Sequence, residues 1–218
     1  MVVFDLDGTL VETEQLWRDE RQAFTIAEGG RWRPEAPEAM IGMSTAEWSR
    51  YIHEVLGVPL PPEVIAQRVT ARMVARVRAG VPILPGADAL LARLAPAFRL
   101  GLASSATRAV LDAVLATTGW ERIFAVAVSA DEVARGKPAP DVYRRALTLL
   151  GDPPRAVALE DSANGIRSAH AAGLRVIAVP NRAFPPSADA LALASLVVPD
   201  LAAIEVATLR TLLTQETR

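Results

Sequence analysis

Two aspartates stand two residues apart near the start of the chain, in Asp5-Leu6-Asp7-Gly8-Thr9-Leu10. Carboxylates this close repel each other unless a cation or a shared proton separates them. A hard divalent cation with oxygen ligands, Mg2+ first among them, is the natural partner. Three later stretches carry complementary groups: the hydroxyls of Ser104-Ser105, the ammonium of Lys137 in Gly136-Lys137-Pro138, and a second acidic pair, Glu160-Asp161. Lys137 stands out by composition, because 22 of the 23 basic residues are arginine and it is the one lysine. A guanidinium is a rigid planar fork and an ammonium a compact point charge. The lone lysine is therefore a candidate for a position that only an ammonium fits. Each stretch also has an ordinary reading: the serines as helix caps, the acidic pair as a complement to a helix dipole, Lys137 as an exposed loop residue.

What decides between these readings is the set of elements that position the residues. Met1-Val2-Val3-Phe4 is a short apolar run closed by a turn signal, the pattern of a buried parallel strand, and Gly8 lets the backbone turn sharply after it. Residues 13–80 then read as an all-helical block: a helix from Glu14 to Ala27, a turn of helix within 34–40, a helix opened by the capping box Ser44-Thr45-Ala46-Glu47, and one from Pro61-Pro62 to about Ala79. From Val81 onward helix and strand alternate. Helices are expected at 87–95, 107–119, 141–150 and 163–172, and strands at 98–103, 124–128, 156–159 and 174–179. An alanine-rich helix, a short strand near Leu196-Val198 and a last helix from Leu201 follow. This alternation predicts an α/β fold, a doubly wound parallel sheet with helices on both faces. In such a sheet the carboxyl ends of the strands share one edge, where ligands bind. Asp5, Asp7, Ser104, Lys137, Glu160 and Asp161 all follow strands, so the fold would bring them to that edge.

The bulk properties limit the function. The 218 residues, 51% hydrophobic, suffice for a sizeable core with an insertion. The net charge of -2 comes without any basic block and argues against a nucleic-acid partner. No run of eighteen apolar residues predicts a membrane span. The chain opens directly on a strand, so no signal peptide is expected. Cysteine is absent, which excludes disulfide and thiol chemistry and fits a cytoplasmic enzyme. A monomer is expected.

The order Asp-Leu-Asp-Gly-Thr-Leu, Ser104, Gly-Lys-Pro-Ala-Pro-Asp and Glu-Asp-Ser-x-x-Gly resembles the haloacid dehalogenase-like hydrolase superfamily over essentially the whole chain. The Glu160-Asp161-Ser162 form of the last motif is similar to its β-phosphoglucomutase and sugar-phosphatase branch. The resemblance implies a Rossmann-like core of residues 1–12 and 81–218, with 13–80 an inserted helical cap of the superfamily's first type. It also implies a Mg2+-dependent phosphatase acting on a small phosphorylated metabolite, a sugar phosphate first among them, through an aspartyl-phosphate. Asp5 would be the nucleophile and Asp7 the general acid and base. Ser104, Ser105 and Lys137 would bind the phosphate. The metal would be held by Asp5, the Asp7 backbone carbonyl and Asp161, with Glu160 beside them. The second aspartate and the acidic last motif disfavour dehalogenase chemistry, which needs neither.

The resemblance says less about the cap. Gly42-Met43-Ser44-Thr45 looks like its specificity loop, and Glu12-Thr13 occupies the cap hinge. Mutases of the branch carry an arginine where this chain has Thr45 and a histidine where it has Trp17. A weak grip on a distal phosphate is expected, which favours phosphatase over phosphosugar mutase, although Arg72 or Arg76 could restore that grip. Trp17 either stacks on a sugar or packs in the core. His53 and His170 receive no catalytic role. A non-catalytic binding protein is disfavoured because Asp5 and Asp7 are both present.

Overall fold

The computed structural model describes residues 1–40, 43–181 and 185–214. The chain forms two compact units, Met1–Glu12 with Val81–Arg218, and Thr13–Gly80.

The first unit is built on strands β1 (Val2–Phe4), β2 (Leu100–Ser104), β3 (Phe124–Ser129), β4 (Val157–Glu160), β5 (Arg175–Ala178) and β6 (Leu196–Val197). They form one sheet in the order β3-β2-β1-β4-β5-β6, and every pairing is parallel. The chain winds outward from β1 in one direction through β2 and β3. It then returns to the other side of β1 and continues through β4 to β6. Val2 is in register with both Leu100 and Val157. The end of β1 is thus the switch point of a doubly wound sheet, where a crevice for ligands opens. Val2, Val3 and Phe4 are completely buried, as a central strand covered on both faces requires. One core cluster joins Val3, Ala103, Val128, Tyr143, Ala158 and Val176.

Three features differ from the sequence expectation, two of them element boundaries. Strand β2 begins at Leu100 because the Ala97 and Phe98 amides turn back onto the Leu94 carbonyl. β3 is an edge strand with Ala125 exposed, so not every strand is covered on both faces. The segment from Leu201 is a 3-10 turn. The Asp200 side chain accepts from the Ala202 and Ala203 amides, extended Ile204 ends the turn, and the last helix runs Val206–Thr214.

The second unit contains α1 (Glu14–Ala27), α2 (Ala36–Ala39), α3 (Thr45–Glu54) and α4 (Pro62–Arg78). Ser44 and Glu47 form the expected capping box, with the Ser44 amide donating to Glu47 Oε2 at 2.7 Å. On α4 the residues Ile65, Val69, Met73 and Val77 recur at helical spacing and are completely buried. Phe24, Trp48, Ile52, Ile65 and Val69 form this unit's own core. Among the described residues no helix is long and apolar enough to cross a membrane.

Candidate active site

The helices that follow Val81 include α5 (Ala87–Leu94), α6 (Arg108–Thr118), α7 (Asp141–Leu149) and α8 (Ala163–Ala171). The polar groups of the site sit at the carboxyl edge of β1, β2 or β4, on α7, at the start of α8, or in loops, with Lys137 between β3 and α7 and Asn181 after β5. The Asp5 amide donates to the Leu159 carbonyl at 2.9 Å, so Asp5 leaves β1 against the end of β4. Gly8 has φ +87°, the left-handed region, and a Cβ there would overlap the Asp161 carboxylate. Glycine is thus required twice over, for the turn and for the close approach. The two acidic pairs meet through it.

Lys137 lies at the centre. Its Nζ donates to Asp5 Oδ1 at 2.5 Å and to Glu160 Oε1 at 2.6 Å, with only 5% of the side chain exposed. It also lies 4.9 Å from the centroid of the Tyr143 ring. Burial opposes its charge, but Asp5 and Glu160 outweigh burial and hold the ammonium above its ordinary value. Asp5 is nevertheless pushed up, by burial first and then by Glu160, Asp161 and Asp7, against the opposing pull of Lys137. Beyond burial, a single ammonium serves more carboxylates than it can neutralise. Asp161 is pushed up to about 7 by burial and by Glu160, offset by Lys137 and a hydrogen bond from Asn181.

Glu160 is fully buried and its two oxygens divide their work. Oε1 accepts from Lys137 and, at 2.7 Å, from the Tyr143 hydroxyl. Oε2 accepts from the Asp161 amide at 3.2 Å and from the Ser162 amide and hydroxyl. Helix α8 approaches so closely that a Cβ at Gly165 would overlap the Glu160 carboxylate.

Ser104 ends β2 completely buried. Its hydroxyl donates to Asp7 Oδ2 at 3.1 Å and accepts from the Ala106 amide at 2.9 Å. Ser105 is exposed beside it. Asp7 therefore turns its carboxylate to Ser104, whereas Asp5, Glu160 and Asp161 bring carboxylate oxygens within 4.8 Å of one another. That donor set suits a hard divalent cation: all-oxygen, buried, and short of positive charge with Lys137 alone.

In the helical unit, Trp17 is half-buried against the core, its ring centroid 6.1 Å from that of Trp48. Ser44 caps α3 and is exposed, and Thr45 opens that helix half-buried. Gly42 lies outside the described residues. Arg72, one of the two arginines considered for a distal grip, pairs its Nε with Glu20 at 2.8 Å and stays well exposed. His53 Nδ1 lies 3.0 Å from the Val58 carbonyl within its own unit.

Sequence reasoning missed Tyr143 and Asn181, and gave no role to Thr9 and Gly165 although both stand in the quoted motifs. The Thr9 hydroxyl lies 3.5 Å from Asp161 Oδ1. A tyrosine beside Val142 and Ala146 reads as core, and the one available signal was a phenol on an otherwise apolar helix face, which needs a polar partner when buried.

A doubly wound sheet whose switch point gathers carboxylates around one lysine defines a class of α/β enzymes acting on charged ligands. The comparisons narrow it: a family model described as haloacid dehalogenase-like hydrolase matches residues 1–173, and the chain belongs to that family. It is 40% identical to the protein CbbY of Rhodobacter capsulatus, over 93% of each chain. It is 34% identical to hexitol phosphatase B of Escherichia coli, over 82% of each. It also superposes on a CbbY variant from Rhodobacter sphaeroides in complex with xylulose-(1,5)bisphosphate. There the TM-score is 0.83 at 34% identity, covering 95% of this chain and 97% of that one.

Proposed function

We propose that this hydrolase is a Mg2+-dependent phosphatase that releases phosphate from a small phosphorylated sugar through an aspartyl-phosphate on Asp5. The observation that carries the reading is the placement of Asp5 at the end of β1, bonded to Lys137 and flanked by Asp161 and Glu160. In the first step a carboxylate oxygen of Asp5 attacks phosphorus while the bond to the sugar oxygen breaks. Asp7, protonated at the outset, gives its proton to that leaving oxygen. In the second step Asp7 takes a proton from water as the water oxygen attacks phosphorus. Inorganic phosphate leaves and the Asp5 carboxylate is restored. The bond from Ser104 holds the Asp7 carboxylate in place for both transfers. Lys137 offsets the charge that builds up when a phosphoryl dianion approaches a carboxylate.

Asp5, Asp161 and the Asp7 backbone carbonyl are the groups assigned to hold Mg2+. Glu160 stands behind them, its oxygens already engaged by five donors, with the holding of Lys137 as its assigned task. The metal would supply electrostatic stabilisation of phosphoryl oxygens. The helical unit is assigned the role of cap. The names of the similar proteins support sugar phosphates as the substrate class, with a sugar bisphosphate among the first to try.

The test is a Mg2+-supplemented panel of phosphorylated sugars and sugar alcohols, xylulose-1,5-bisphosphate included, read by free phosphate and by sugar-phosphate isomerisation. Phosphate release that disappears with a chelator is expected. No release from any member, release indifferent to the chelator, or isomerisation outrunning release would each refute the reading.

A further inference from the structure

The backbone and the head group of Lys137 are held by different elements. Beside the lysine, the buried Ser168 on α8 donates its hydroxyl to the Ala139 carbonyl at 2.6 Å, and the Ala139 amide donates to the Gly136 carbonyl at 3.0 Å. Those bonds fix the loop but do not choose where the side chain ends. The ammonium is placed instead by Asp5, by Glu160 Oε1 and by Tyr143, which is completely buried on α7.

Tyr143 shares the buried face of α7 with Val142 and Ala146. Phenylalanine would fill nearly the same volume there without a buried hydroxyl that needs a partner. What the hydroxyl adds is a donor on one particular atom. It reaches Glu160 Oε1 at 2.7 Å, the same oxygen that Lys137 Nζ reaches at 2.6 Å. A carboxylate oxygen offers two lone pairs, so these two donors saturate it. Burial, and then Glu160 and Asp5, hold the phenol well above its ordinary pKa, so it remains a neutral donor. A neutral donor on Oε1 takes up part of the carboxylate's hydrogen-bonding capacity without adding charge, and the pull of Glu160 on the ammonium falls. The Tyr143 ring, its centroid 4.9 Å from Nζ, favours the cation in that place.

We propose that Tyr143 is a positioning residue for the reaction: by sharing Glu160 Oε1 with the ammonium, its hydroxyl keeps Lys137 divided between Glu160 and Asp5, free to follow charge onto the phosphoryl group. When Asp5 takes up a phosphoryl group, its own carboxylate charge is lost and the phosphoryl oxygens become the second partner of the lysine. An ammonium drawn wholly onto Glu160 would not follow. The kinetic consequence rests on the phosphatase reading above; the placement of the ammonium does not.

The test uses the fact that Lys137 is the one lysine of the chain, so isotopic nitrogen labelling of lysine gives a single side-chain ammonium signal in magnetic resonance. In the unsubstituted protein with Mg2+, its protons should exchange slowly with water and show a nuclear Overhauser effect to the Tyr143 ring. Tyr143→Phe keeps the ring and removes the donor. It should move the nitrogen signal and speed proton exchange at least about tenfold, and kcat should fall about tenfold with KM changed less than about threefold. Val142→Ala is the control: it loosens the same helix, so it should lower the melting temperature and leave the signal and kcat near those of the parent. An ammonium in the unsubstituted protein that exchanges as fast as an exposed one would overturn the proposal. So would a signal and kcat that Tyr143→Phe leaves unchanged, a loss confined to KM, or equal effects from Val142→Ala. Failure of the phosphatase reading is distinct: the unsubstituted protein would release no phosphate while the ammonium signal still responded to Tyr143→Phe.

Discussion

Gly165→Ala should damage this protein although alanine is the better helix former. Gly165 lies in the first turn of α8 with an ordinary helical φ, and a Cβ there would overlap the Glu160 carboxyl carbon and both oxygens. Glu160 is fully buried and cannot swing into water. It must shift away from Lys137 and Tyr143, or α8 must move off the sheet. Breaking a buried ion pair costs about 3–5 kcal/mol, while replacing helical glycine with alanine returns about 1 kcal/mol. The net loss is about 2–4 kcal/mol, or about 4–16 °C in melting temperature at about 2–4 °C per kcal/mol for a chain of this size. Thermal unfolding followed by circular dichroism measures it, with Gly136→Ala as the control. A Cβ at Gly136 meets nothing within 4 Å, although that residue adjoins Lys137. Phosphate release should fall in Gly165→Ala, because Lys137 loses the carboxylate that holds it. A Gly165→Ala protein as stable and as active as the control would refute the assignment of Glu160 as the anchor of the lysine.

Two other predictions follow from the same cluster. Lys137→Arg preserves the charge but puts a larger, planar group where Nζ touches two carboxylates, and kcat should fall by about 10²–10³-fold; near-parental steady-state kinetics would show that any cation serves. Asp161→Asn should raise the Mg2+ concentration for half-maximal phosphate release at least about tenfold, and an unchanged metal titration would remove Asp161 from the metal site.

Much of this arrangement was legible in the sequence. A parallel sheet places every strand's carboxyl end on one edge, so chemistry-bearing residues after strands had to converge in whatever order the strands lie. The isolation of Lys137 in an arginine-rich chain marked it before any contact was known. What could not be read was how each group is held. That Glu160 belongs to the lysine as much as to the acidic cluster depends on Tyr143, 17 residues earlier in the chain on another element. That Ser104 engages Asp7 depends on β1 and β2 being neighbours with a definite register. That Arg72 pairs with Glu20 likewise joins two helices, α4 and α1, with no local signal.

The central claim is that phosphate leaves by way of Asp5. During turnover of any sugar phosphate that the Mg2+ panel identifies, the reaction can be quenched and treated with borohydride, which reduces an acyl phosphate to the alcohol. Peptide mapping by mass spectrometry should find homoserine in place of Asp5 and of no other acidic residue. Asp5→Asn should give neither that product nor phosphate release, its turnover being lower by several orders of magnitude. Steady phosphate release with Asp5 unmodified at every quench time, or continued turnover by Asp5→Asn, would contradict the account.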